Sequence, residues 1–276
     1  MKMAFDPVQR GGRGSFWLSV VVGVLVPVSA YGTVSVELLP RIDQVRRALA
    51  EWRLPALVEA ADAMNRFELP DPSQPDDLFW LNYWSGVASF NAVLCSRELT
   101  GDELAGTDVG DLMGGAVDSL GAALKIHPDH GECHAMLAVL DAVRISDRSW
   151  MALFLGPSLM RHRAAASKAD PMSPRTAYLL GTSQLKRAKD DTRVREAMIA
   201  LEQAVDLYGQ ERGRSRQPWE PDWGYEYALL FLGEAHQALN EWTEAATCFE
   251  RALGINPHLE RAQHGLEKCR SQTVNR

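Results

Sequence analysis

The chain has 276 residues, enough to bury a full core, with 46% hydrophobic residues, 24% charged residues and a formal net charge of −7. That acidic balance argues against nucleic-acid binding, and the composition is that of an ordinary folded protein. Beyond the N-terminus there are no alternating Val/Ile-rich runs bounded by turn residues, which predicts an all-α fold.

Residues 1–30 read as a secretory signal. Lys2, Arg10 and Arg13 form a positive region, Phe16 to Val26 is apolar, and Val28-Ser29-Ala30 offers small residues for cleavage. Gly23 and Pro27 interrupt the apolar run, which is short for a membrane span, so the alternative of an uncleaved anchor is the one route to a membrane. No cysteine follows the run, which argues against a lipoprotein anchor. Removing residues 1–30 deletes three positive charges and Asp6, taking the net charge from −7 to −9. The expected location is periplasmic or secreted.

Residues 31–78 predict capping helices and a linker. From Leu38 to Phe67 the apolar period is helical, with Val45, Leu49 and Trp52 on one face and Leu57, Ala61 and Met64 after Pro55. This pair is expected to cover the first hairpin of the region that begins at Phe79. Pro70 to Pro75 reads as a stiff extended connection.

From Phe79 to Pro257 one spacing recurs. Its clearest copy is Leu229, Leu232, Gly233, His236, Ala245, Phe249, Ala252 and Pro257. Gly233 lets two helices approach closely, Ala245 and Ala252 fill small slots where they cross, Phe249 plugs the interface and Pro257 ends the second helix. Upstream, Leu180 and Gly181 precede Ala197, Leu201 and Ala204, with a turn near Lys189 to Thr192 lengthened by about four residues. Leu159, Ala166 and Pro171 keep second-helix spacing with Arg163 in the bulky slot, behind a first helix from Gly131 to about Val143. Gly86, in a helix from Phe79 to Leu94, precedes Ala116, Leu120, Ala123 and Pro128. The C-terminal region, 258–276, reads as a capping helix and tail.

This pattern resembles the tetratricopeptide repeat (TPR) of bacterial exported solenoid proteins. The resemblance implies four degenerate repeats over 79–257, in a right-handed solenoid of antiparallel helix hairpins. It also implies a non-enzymatic scaffold or adaptor that binds a protein or peptide along a concave face. First-helix positions on that face are Trp80, Tyr83 and Phe90, then Arg175, Tyr178 and Lys186, then Tyr227, Glu234 and Gln237. Rigid rings with a few charges make a recognition surface. Long insertions separate Leu94 from Ala116, Val143 from Leu159 and Gly209 from Tyr225. The apolar run Trp150 to Leu155, and Arg214 to Trp223 with Trp219 and Trp223, are candidates to cover the groove; Trp223 alternatively staples the start of the next helix.

Two further constellations carry expectations. His130, Cys133 and His134 can share one face at a helix start, and imidazole with thiolate suits zinc or copper, so a metal-handling protein is one alternative. The competing reading makes Asp129 and His130 a turn and helix cap, with His134 packed as a ring. No cofactor is otherwise expected. Cys248 and Cys269 lie about equally far from the turn at Pro257 on antiparallel helices, which allows a disulfide, the alternative being two small buried side chains. A structural subunit of an envelope complex is a second functional alternative. Ser183, His236 and Asp206 lack a catalytic setting, so no enzyme is expected.

Overall fold

The computed structural model describes residues 34–99, 104 and 106–274. The signal-peptide segment lies outside them. Eleven α-helices and no strand occur among the described residues: α1 (Leu39–Glu51), α2 (Leu54–Asn65), α3 (Pro75–Ser96), α4 (Val109–Ile126), α5 (Gly131–Asp147), α6 (Ala152–Ala169), α7 (Pro174–Leu185), α8 (Asp191–Arg212), α9 (Tyr225–Ala238), α10 (Trp242–Ile255) and α11 (Glu260–Val274).

The helix boundaries follow from backbone chemistry. Proline sits in the first turn of α1, α2, α3 and α7, where its missing N–H costs nothing. Asp108, Ser173 and Asp190 accept backbone N–H groups at the starts of α4, α7 and α8. Pro128, Pro171 and Pro257 fall just beyond α4, α6 and α10, so each second helix stops where no further ladder bond can form. Between α2 and α3 the chain turns rather than running extended, because Asp71 accepts from the Ser73 N–H at 3.0 Å and its hydroxyl at 2.6 Å.

The helices pack in chain order as hairpins, α3 with α4, α5 with α6, α7 with α8 and α9 with α10, and α11 closes the array against α10. First helices α3, α5, α7 and α9 stack on one another. This is an all-α, TPR-like solenoid. The small-residue slots explain the intimacy of each hairpin. A Cβ added to Gly233 would meet the Phe249 ring at 2.7 Å, and one added to Gly86 would meet Leu120 at 2.6 Å. At Gly181 the neighbour is Leu201, at 3.1 Å. Phe249, Leu120 and Leu201 are all fully buried.

Two elements depart from expectation. Most of the stretch between Val143 and Leu159 is helical, since α5 runs on to Asp147, a short 3-10 turn covers Ser149–Met151 and α6 follows at once. Helix α1 does more than cover the first hairpin. Its Ala50 carbonyl accepts from Asn256 Nδ2 at 3.1 Å, in the turn between α10 and α11. The same helix thus touches both ends of the array.

Candidate partner-binding site

The first-helix positions expected on the concave face are covered by the chain itself. Leu38, Ile42, Val45 and Leu49, on and beside α1, are buried at spacings of four, three and four residues, the stripe of an amphipathic helix that packs on α2 and α3. At its C-terminal end Trp52 adopts a left-handed backbone with φ of 49°. Bulky residues rarely accept that conformation, and three contacts hold it here. Its ring lies 4.5 Å from that of Tyr227, its Nε1 donates to Glu98 Oε2 at 2.9 Å, and its carbonyl faces the Cys95 thiol at 3.7 Å. Glu98 also accepts from Arg261 Nη1 at 2.6 Å, which joins the end of α3 to α11. Earlier in α1, Arg46 donates to Asp222 at 3.0 Å and the Glu220 carbonyl at 2.9 Å, with its guanidinium 5.2 Å from the Trp84 ring.

The segment before α9 seals the rest. Gly224, with φ of +101°, makes the sharp turn into α9. That turn leaves Trp223 folded inward, where its Nε1 donates to the Tyr83 hydroxyl at 3.2 Å and its carbonyl accepts from Tyr208 at 3.1 Å. Trp84 Nε1 donates to the Trp219 carbonyl at 2.9 Å. Trp219 and Trp223 therefore cover the face.

The sequence-predicted anchors consequently lie indoors, the alternative in which the chain's own segments cover them. Trp80, Tyr83, Phe90, Tyr178 and Tyr227 are each no more than 5% exposed. Arg175 is also buried, in a charged cluster that the repeat spacing does not reveal. Its Nε donates to Glu132 at 2.8 Å and its two terminal nitrogens grip Glu211 at 2.9 and 2.5 Å. Tyr83 donates to the other Glu132 oxygen at 2.6 Å and Ser173 to the first at 2.9 Å. Burial opposes the charge on Glu132, but Arg175 and His130 outweigh it and hold the carboxyl below its ordinary value. Burial likewise opposes the Arg175 cation, and Glu132 more than offsets it. The cluster pins α3, α5, α7 and α8 together. Carboxylates amid otherwise apolar helix faces were its only signal in the sequence.

Of the remaining predicted residues, Lys186 is exposed, 3.6 Å from Glu234 and above the Phe231 ring. Glu234 is held by Arg261, and Gln237 donates to the Gly265 carbonyl at 2.9 Å and to Cys269 Sγ at 3.2 Å.

The metal reading is not supported by the geometry. His130 Nδ1 accepts the Cys133 N–H as the α5 cap, and His134 turns its two nitrogens to Pro128 O and His162 Nδ1, each at 2.8 Å. A carbonyl only accepts, so His134 carries its proton on Nε2 and takes one from His162 through Nδ1. Burial pushes the Cys133 thiol well above its ordinary value, against the thiolate that metal ligation requires. Among the described residues no three His, Cys, Asp or Glu side chains gather as a metal site. Cys248 and Cys269 are free, buried thiols rather than a disulfide, in agreement with the packing alternative.

Residues 226–259, all but the first residue of α9, the whole of α10 and the turn after it, match the Tetratricopeptide repeat family model. This stretch is a tetratricopeptide repeat. No curated protein matches the chain. The matched stretch contains Gly233, Phe249 and Pro257, the residues whose packing defines the last hairpin. Repeats of this family generally mediate protein–protein contacts and are generally non-enzymatic.

Proposed function

We propose that this TPR protein is an exported scaffold whose aromatic concave face recognises an amphipathic helix, with α1 as its resting occupant. One observation carries the reading: α1 is bound along the concave side as a partner helix would be, through an apolar stripe and a terminal tryptophan. Tyr227 adds to it, because its hydroxyl is buried at the Trp52 contact without a hydrogen-bond partner, a donor that another helix can satisfy. A partner helix binds by exchange: it takes the place of α1, and part of its affinity is used in that displacement. Export rests on Lys2, Arg10, Arg13 and the apolar run ahead of Ala30.

Affinity capture from the native cell envelope tests this with two baits, the natural chain and a Leu49→Ala, Trp52→Ala variant that loosens α1. A protein enriched by both, and more strongly by the variant, is the expected result. Capture that is indifferent to the α1 changes refutes the exchange, and no enrichment over control removes the scaffold reading. For export, the mature N-terminus is expected just after Ala30.

A further inference from the structure

Helix α6 presents an apolar face to solvent. Trp150, Leu153, Phe154 and Met160 are 59%, 81%, 70% and 61% exposed. With Pro157 they follow one another at three-, one-, three- and three-residue steps, so they form one stripe on the side away from Ala166, which is buried in the hairpin. Trp150 and Phe154 meet edge to face at 6.0 Å, giving the ridge a rigid aromatic tip. Charge is equally one-sided. Residues 148–169 hold Arg148, Arg161, Arg163 and Lys168 and no Asp or Glu, in a chain whose net charge is −7. Asp147, at the near border, is already paired with Arg97 at 2.7 Å.

We infer that this ridge is a membrane-contact surface that inserts Trp150, Leu153 and Phe154 between the headgroups of an anionic bilayer. Three properties select that occupant. The apolar side chains stand out into solvent, Leu153 81% and Phe154 70% exposed, and a fluid bilayer accommodates a protruding apolar tip without a preformed cavity. The ridge's chemistry is large apolar side chains in a segment whose charged residues are all arginine or lysine, which matches acyl chains beneath a negative surface. A second copy of this chain would set Arg148, Arg161 and Lys168 against an equally acid-free ridge, so like charges oppose self-association. The contact does not depend on residues 1–30.

The test uses the full chain and vesicles of phosphatidylcholine with about one third phosphatidylglycerol, against phosphatidylcholine alone. Leu153→Cys is labelled with an environment-sensitive dye; the four native cysteines are buried and stay unlabelled. The expected result is a blue shift with the anionic vesicles, quenching by acyl-chain spin labels, and reversal by salt. Leu153→Glu, Phe154→Glu should weaken vesicle flotation by roughly tenfold or more with an unchanged melting curve, since both side chains are already in water. A dye that stays in water while the protein floats overturns the inference. So does unchanged flotation of the double variant, binding only to an acidic protein, or a lipid-free dimer that the double variant abolishes.

Discussion

The Phe249 ring lies between two glycines, since a Cβ on Gly233 or on Gly265 would stand 2.7 or 2.6 Å from it. Phe249 therefore joins α9, α10 and α11 in one contact, and neither glycine tolerates a methyl group without displacing an aromatic ring in a close-packed core. Gly233→Ala is expected to cost about 1–3 kcal/mol in urea unfolding despite alanine's better helix propensity. At the start of α5 His130 is a capping acceptor, and burial lowers its pKa from 6.5 to about 4. The unfolded chain therefore binds the proton first on acidification, and stability falls as pH drops from 6.5 to 4. Asparagine keeps an N-cap acceptor without titrating. His130→Asn should remove about 2 kcal/mol of that fall, a figure reduced for the ring's partial exposure, as measured by unfolding at several pH values.

At the scale of elements, Arg175 is the cation of a buried cluster drawn from four helices. Its removal leaves Glu132 in the interior without its ion-pair partner and Glu211 with only Arg214 at 3.6 Å, so Arg175→Leu is expected to cost about 3–5 kcal/mol at pH 7. The pH dependence should also invert. In the natural chain Glu132 sits below its ordinary 4.5, so its contribution is present above that pH and is lost as pH falls through the folded value. In the variant Glu132 loses its strongest opposing influence to burial, its carboxyl titrates higher, and the deficit shrinks as pH falls from 7 toward 5. Parallel urea curves at both pH values read this directly. The hairpins themselves were legible because Gly, Ala and a bulky residue at fixed steps answer to local steric demands. The first-helix positions of Trp80, Tyr178 and Tyr227 were legible for the same reason. Cover by Trp219 and Trp223 was legible too, but cover by α1 was not, because its contacts join distant parts of the chain: Ala50 and Asn256 are 206 residues apart. No local pattern encodes such a pairing. The apolar run at Trp150 was visible as unusual, but its placement on the outer face of α6 instead of over the groove depends on how α5 and α6 cross.

For the molecule as a whole, an open solenoid would touch only nearest neighbours and fray from either end. Here Glu98 binds both Trp52 and Arg261, Arg46 binds the segment before α9, and α1 fills the space between. The ends of the array are tied through its centre, which predicts one cooperative transition rather than stepwise loss of repeats. The decisive question is whether α1 occupies the concave side in solution. Hydrogen exchange followed by mass spectrometry on the full chain answers it. Peptides spanning Leu39–Glu51 should exchange as slowly as those from α3 and α9, and Trp52→Ala should speed exchange in α1 and the start of α9 together. Fast exchange throughout α1 beside slow exchange in α3 and α9 would contradict the account, because the groove would then stand open.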